Sequence, residues 1–301
     1  MNPARDTILS TIREQWPEHG PFLARATAAC DPPLLETAEL VSGIILKLAV
    51  DDLARLGRGY RWMCEMMLEE EIEFRRTRRY RYSRFDEVRD LVYGDRALMT
   101  RYMEGLLLSQ VLWLNHVRVI DFYVRRYLPR AATSAAHLEV GPGHGLLLYL
   151  AARAGAARLT GWDVSPSSLA STRTALDTLG VGARVELEQR SVLDPARKGD
   201  RFGSVVISEV LEHLEDPGGA LEALHGHLNA GGRIFVNAPV NSPALDHIYL
   251  FSTPEELVEL IRSKGFEIEE TCFAPATGYT EARARKVGVV ISCAVIARRA
   301  A

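Results

Sequence analysis

The alternation of apolar and polar positions divides the 301-residue chain into two kinds of sequence. Up to about residue 130, apolar side chains recur every three or four positions among Leu, Glu and Arg, with few glycines. That is the period of amphipathic helices. The pattern predicts helices over Asp6–Trp16 and from Pro32-Pro33 to about Leu48, then a short piece from Asp51 ended by Gly57 and Gly59. Further helices are predicted over Tyr60–Thr77, Asp86–Tyr93 and Asp95–Tyr127, with Pro129 as the stop. Thr133-Ser134 marks a junction. Beyond it, Ala136–Val140, Arg158–Asp163, Ala183–Gln189, Phe202–Ser208, Gly231–Pro239, a run opening at Gly265-Phe266 and Val287–Ala297 read as strands. Leu146–Ala156, a stretch opening at Ser165-Pro166 and Glu255–Lys264 read as helices, with Ser165 as cap and Pro166 in the first turn. Ala274–Arg285 is a loop or short helix.

The chemistry concentrates where the first strand ends. Gly141, Gly143 and Gly145 alternate through Val140-Gly141-Pro142-Gly143-His144-Gly145, two residues after Glu139. Glycines there let the backbone turn sharply and approach a ligand, and the following helix presents free N–H groups. The spacing is G-x-G-x-G, not the G-x-G-x-x-G of dinucleotide folds. The second strand ends in Asp163, a carboxylate placed to accept both ribose hydroxyls of a nucleoside.

Together with the acid before the first glycine, this spacing resembles motif I of the class I S-adenosylmethionine (SAM)-dependent methyltransferases. Asp163, Asp194 in Ser191-Val192-Leu193-Asp194, the run Phe202–Leu214 with Ser208-Glu209, and Gly231–Pro239 resemble that family's later motifs, in order and at family spacing over 136–299. The resemblance implies an α/β, Rossmann-like seven-stranded sheet, mostly parallel, with its last strand antiparallel between the fifth and sixth. It implies a SAM-binding domain over 131–301, preceded by an all-helical lid or substrate region over 1–130. It implies SAM as cofactor, held by Glu139 at the amino group, Gly141, Gly143 and Gly145 along the methionine and sugar, and Asp163 at the ribose. Val164 would pack on adenine, Asp194 would accept from it, and Ser208 and Glu209 would flank the methionine part.

The acceptor side is less constrained. Tyr80 and Tyr82 lie among arginines at the end of Glu69–Phe85, and aromatics there can pack against a sulfonium. Arg81 or Arg84 could pair with a carboxylate. Glu71 and Arg75 are four apart, which favours a self-paired helix end over nucleic-acid binding. Ser109, Gln110, Trp113, Asn115 and His116 interrupt an apolar stretch, and buried polar groups need partners. They form an internal network or face a cleft, with Gln110 and Asn115 as substrate contacts in the latter case. His116, His213 and His247 are candidate general bases, because imidazole titrates near neutrality. His247 lies in the segment after the fifth strand, where ligand-lining loops of such sheets occur.

Composition narrows the class. The chain is 47% hydrophobic and 25% charged, with a net charge of −3. No overall field attracts nucleic acid or an anionic membrane. No apolar run is long enough to span a bilayer, and the N-terminus has no signal-type core. Four dispersed cysteines point to reduced thiols in a cytoplasmic protein with no metal site. The expected function is methyl transfer to a small molecule, of natural-product type, by in-line displacement, with the N-terminal helices available for a homodimer. Two alternatives remain open: a SAM-cyclising enzyme of the azetidine-2-carboxylate synthase type that releases methylthioadenosine, and a non-catalytic SAM-binding protein.

Overall fold

A computed structural model describes residues 3–50, 52–131, 136–195, 197 and 199–300. The expected junction at Thr133-Ser134, and Asp51, lie outside them. The chain divides into two compact units. One comprises Met1–Asp121 with two later stretches, Val240–Leu250 and Ala274–Ser292; the other comprises Phe122–Pro239, Phe251–Phe273 and Cys293–Ala301.

The first unit is helical. It contains α1 (Pro3–Gln15), α2 (Gly20–Ala28), α3 (Pro32–Ala49), α4 (Leu53–Thr77), the short α5 (Phe85–Val88), α6 (Arg96–Leu112) and most of α7 (Leu114–Phe122). Helix starts follow local chemistry: Asp31, Asp52 and Asp95 each accept a backbone N–H of the first turn. Glu39 of α3 accepts from the N–H groups of Ala4 and Arg5 and so closes the start of α1.

Two expectations fail here for steric reasons. Gly57 and Gly59 do not break a helix; both lie inside α4. They are points of close approach. A Cβ on Gly57 would collide with Gln15, and one on Gly59 would lie 3.0 Å from the Arg101 carbonyl of α6. Gly105 answers from α6, where a Cβ would meet the Met63 Cβ at 2.8 Å. Nor is Asp95–Tyr127 one helix ended by Pro129. Trp113 is extended (φ −100°, ψ 122°) and separates α6 from α7. The Leu114 N–H, released from the helical ladder, donates to Thr277 Oγ1 at 3.0 Å. A π-helical turn at Tyr123–Tyr127 then leads into α8 (Leu128–Ala131). Pro129 lies within α8, directly after the π turn, and does not stop the helical run. A second π turn, Arg89–Tyr93, follows α5.

The second unit is built on the sheet. Its strands are β1 (Ala136–Val140), β2 (Arg158–Asp163), β3 (Val185–Gln189), β4 (Phe202–Ser208), β5 (Leu228–Val240), β6 (Phe266–Pro275) and β7 (Ile291–Arg299), in the order β3-β2-β1-β4-β5-β7-β6. The pairs β1–β2, β1–β4, β2–β3 and β4–β5 are parallel. The last strand in sequence is inserted antiparallel between the fifth and sixth, as the family resemblance implies. Helices α9 (Leu146–Arg153), α10 (Pro166–Thr178), α11 (Pro217–His227) and α12 (Pro254–Ser263) intervene, and α13 (Glu281–Val287) belongs to the helical unit. Every residue of β1 is buried, the condition of a central parallel strand covered on both faces. His137 is among them. Its Nδ1 lies 2.9 Å from Ser204 Oγ, and burial pulls its pKa down to about 4.

Two stability experiments follow. Gly105→Ala should lower stability by roughly 1–3 kcal/mol through overpacking against Met63. Gly43→Ala in α3, where a Cβ meets nothing within 4 Å, should raise it, by roughly 0.5–1 kcal/mol. Urea unfolding measures both. His137 stays neutral in the fold while the unfolded chain takes up its proton below the ordinary pKa of 6.5. Its contribution is therefore intact above pH 6.5 and is lost as pH falls toward about 4. The loss reaches roughly 3 kcal/mol. In His137→Asn the unfolding free energy should fall less steeply across that window.

Candidate active site

The glycine turn is shaped by left-handed backbone. Gly141, Gly143 and Gly145 have φ of +66°, +51° and +73°. A Cβ on Gly141 would lie 2.5 Å from Val210 Cγ2. The Gly141 N–H donates to the Trp162 carbonyl of β2 (2.8 Å) and the Gly145 N–H to the Pro142 carbonyl (2.7 Å). Helix α9 starts at once, its Tyr149 N–H returning to the Gly145 carbonyl. Glu139, opposite Gly161 on β2 and Val206 on β4, is 3% exposed. Among the described residues its Oε2 has no hydrogen-bond partner. Burial drives its carboxyl well above the usual carboxylate range, opposed only by a backbone hydrogen bond from Leu148. A buried acceptor of this kind is complementary to a cationic donor. His144, inside the turn, has a buried Nδ1 without a partner among the described residues, and burial lowers its pKa to about 4.

Asp163 closes β2. Its carboxylate accepts from the Ser165 N–H (2.8 Å) and from Ser168 Oγ (2.6 Å), both at the start of α10. Burial raises its pKa, and these bonds oppose the rise. Beside it Val164 is 51% exposed, and Leu193 is 56% exposed in the turn after β3. Both are large apolar side chains left open at neighbouring strand ends, and Leu193 carried no signal in the sequence. Asp194 is exposed and folds back to accept the Ser191 N–H at 3.0 Å. Buried Arg190 holds this turn in place: its N–H donates to the Asp163 carbonyl and its Nη2 to the Pro195 carbonyl. The same guanidinium pairs with Asp200 at 2.7 Å and lies 4.0 Å from the Trp162 ring.

At the end of β4, Ser208 and Glu209 are gathered by one residue of β5. Asn237 Nδ2 donates to Ser208 Oγ (3.0 Å) and to Glu209 Oε1 (2.7 Å), while the Asn237 carbonyl accepts the Glu209 N–H (2.8 Å). That grip holds Glu209 at φ +55°, a left-handed conformation costing roughly 1–3 kcal/mol for a residue with a side chain. A lone polar residue in the apolar run Ile234–Val240 was the available clue to Asn237. His213 ends a 3₁₀ turn, with its Nε2 3.9 Å from Glu212 Oε1.

The remaining candidates lie in the helical unit. Segment 240–250 is tied to the helices by tyrosines. The Ser242 N–H donates to Tyr80 Oη (3.0 Å), and Tyr93 and Tyr102 donate to Asp246 (3.4 and 3.3 Å). His247 is buried, meets the Tyr80 ring edge-on, and has its Nδ1 2.6 Å from the Ser242 carbonyl. A carbonyl only accepts, so Nδ1 carries the proton and Nε2 is the basic nitrogen of the neutral ring. Tyr82 is half-buried in the same connection as Tyr80. Ser109, Gln110 and His116 form a local cluster. Ser109 Oγ donates to the Leu106 carbonyl and lies 3.0 Å from His116 Nδ1, and Gln110 Nε2 lies 3.4 Å from the same nitrogen. Asn115 stands apart, donating to Ser292 Oγ at 3.0 Å.

A strand, a left-handed glycine turn and a helix, with carboxylates ending the adjacent strands, define a nucleoside-binding Rossmann-like fold of methyltransferase topology. Comparison with known proteins agrees. A methyltransferase-domain family profile matches residues 138–234. The chain is 30% identical over 177 residues to a ubiquinone biosynthesis O-methyltransferase of Xanthomonas axonopodis pv. citri (strain 306), covering 52% of this chain and 71% of that one. An O-methyltransferase family protein from Burkholderia thailandensis shares the fold with a TM-score of 0.55 at 15% identity, over 82% of this chain and 72% of that one. The structure titled PigF with SAH does so with a TM-score of 0.54 at 18% identity, over 82% and 73%. The chain belongs to the class I SAM-dependent methyltransferases and is an enzyme that uses SAM. Among the described residues no helix is long and apolar enough to cross a membrane.

Burial raises the pKa of Glu139, and a cationic group set against it would favour the ionised carboxyl. A SAM amino group placed against Glu139 would therefore bind with release of a proton, and its affinity should rise with pH. Calorimetry in buffers of different ionisation enthalpy measures the release. Glu139→Gln should abolish it and weaken SAM binding about tenfold or more.

Proposed function

We propose that this methyltransferase acts on a hydroxyl oxygen of a small molecule and that His247 is the general base. The observation that carries the proposal is the fixed tautomer of His247: its Nδ1 proton is committed to the Ser242 carbonyl. Similarity to a relative named as an O-methyltransferase supports oxygen as the acceptor atom. A hydroxyl must lose its proton as the carbon–oxygen bond forms, which is where a base contributes.

In this reading, Glu139 and the Gly141, Gly143 and Gly145 turn hold the amino acid part of SAM, flanked by Ser208 and Glu209. Asp163 takes the ribose hydroxyls. Val164 and Leu193 cover the adenine, and Asp194 accepts its amino group. SAM supplies a carbon activated by positive sulfur, and the protein aligns the acceptor and excludes water. Tyr80, Tyr82, Gln110 and Asn115 are proposed to contact the acceptor. His213 and His116 are the secondary candidates for the base.

The test compares His247→Ala, His213→Ala and His116→Ala. Each would be assayed for S-adenosylhomocysteine formation with a panel of phenols and aliphatic alcohols, beside SAM affinity measured directly. His247→Ala should bind SAM as the wild type does and lose roughly 10²- to 10⁴-fold in turnover. An equal or larger loss confined to another histidine would move the base there. Methylthioadenosine appearing from SAM alone would overturn methyl transfer.

A further inference from the structure

On α4 most arginines are neutralised in place. Arg61 pairs with Glu65, Arg75 with Glu71 and Arg76 with Glu73, each one helical turn away. The other end of the helix departs from this rule. There Arg55 and Arg58 of α4 face Arg96 and Arg101 of α6 across an open groove of about 660 Å³, completed by Gly59, Ala97, Thr100 and Glu104. Glu104 is the only acid in the lining and is engaged by Arg55, which also lies 3.5 Å from Asp52. Arg58, Arg96 and Arg101 have no carboxylate partner among the described residues. Four arginines against one glutamate give the lining a formal charge of 4 − 1 = +3.

The shape is as particular as the charge. Gly59 lets the two helices close, with no Cβ between α4 and the Arg101 carbonyl. The Arg101 guanidinium lies 4.8 Å from the Trp62 ring, a contact that orients its plane. Asp95 already accepts the N–H groups of Ala97 and Leu98, so the donors on offer are guanidinium groups, not the start of α6. The chain as a whole has fewer basic than acidic residues, 36 against 39. A concentration of uncompensated arginine within it therefore sets up a local field that repels itself unless an anion is present. Guanidinium forks match phosphate oxygens in pairs.

We propose that the α4–α6 groove binds the diphosphate or clustered phosphate groups of a small ligand, through Arg58, Arg96 and Arg101. The groove lies wholly in the helical unit and involves none of the residues assigned to SAM.

The test titrates the full-length protein with inorganic pyrophosphate by calorimetry and by tryptophan fluorescence. Binding should be one to one. Arg58→Gln, Arg96→Gln and Arg101→Gln should each weaken it about tenfold, with SAM affinity and melting temperature unchanged. The fluorescence response should disappear in Trp62→Phe. ADP, titrated in parallel, separates the sources: tighter binding than pyrophosphate indicates a nucleotide, and equal binding a phosphorylated small molecule. Absence of binding at millimolar pyrophosphate overturns the proposal. So do variants that bind as the wild type does, or displacement by chloride at equal concentration. Loss of SAM binding in these variants would instead mark a folding defect, and charge-retaining Arg96→Lys and Arg101→Lys then decide, because lysine lacks the guanidinium fork: pyrophosphate binding weakened with SAM binding intact supports the groove, and binding equal to that of the wild type overturns it.

Discussion

The structure turns on a carboxylate buried in the middle of a parallel sheet. Glu139 lies in a fully buried strand, opposite Gly161 and Val206, and one of its oxygens meets no donor from the described protein. Removing a carboxylate from water without a partner is among the least favourable acts in folding. Here burial pushes the carboxyl well above the usual carboxylate range, which favours its neutral form. The open glycine turn two residues later is the counterpart of this cost. A strand that carries an unsatisfied acid up to a turn with glycine at alternate positions is complementary to a cation.

Other features of the sheet unit extend the same preparation outward. Asn237 reaches from β5 to hydrogen-bond Ser208 at the end of β4 and the left-handed Glu209 that follows it. Arg190, buried on Trp162 and paired with Asp200, binds the turn bearing Leu193 and Asp194 to the end of β2. Neither residue needs to touch a ligand to matter. Each fixes groups at neighbouring strand ends through hydrogen bonds to side chains and backbone carbonyls.

The strand-by-strand plan of the sheet unit was legible because it is written in local signals: apolar runs, alternate glycines, and carboxylates at strand ends. The order β5-β7-β6 came from the family resemblance and could not have come from periodicity. What local signals missed was set by distant neighbours. Gly57 and Gly59 read as breakers, since nothing nearby reveals that α1 packs against the first and α6 against the second; Gly105, which meets the Gly59 carbonyl from α6, lies far along the chain. Trp113 gave no sign of its extended backbone, which depends on a hydroxyl supplied by Thr277. For the candidate site, Asp163 and Glu139 announced themselves by position, whereas Arg190 looked like any surface arginine. The tautomer of His247 depends on a carbonyl five residues earlier whose direction no sequence pattern encodes.

The helical unit is not a prefix. The chain passes between the units at 121/122, 239/240, 250/251, 273/274 and 292/293, and the tyrosine-bound segment 240–250 and the stretch carrying α13 return to helices made long before. A ribosome therefore releases the first 121 residues well before their partners exist, and those helices must wait, incompletely covered, for about 170 further residues to emerge. Evolution faces the same tether. Exchanging the N-terminal helices for those of a relative would remove Tyr80, Tyr93 and Tyr102 and leave Ser242 and Asp246 without the hydroxyls they bind, so a new specificity would have to arise by changing three separated stretches of gene together.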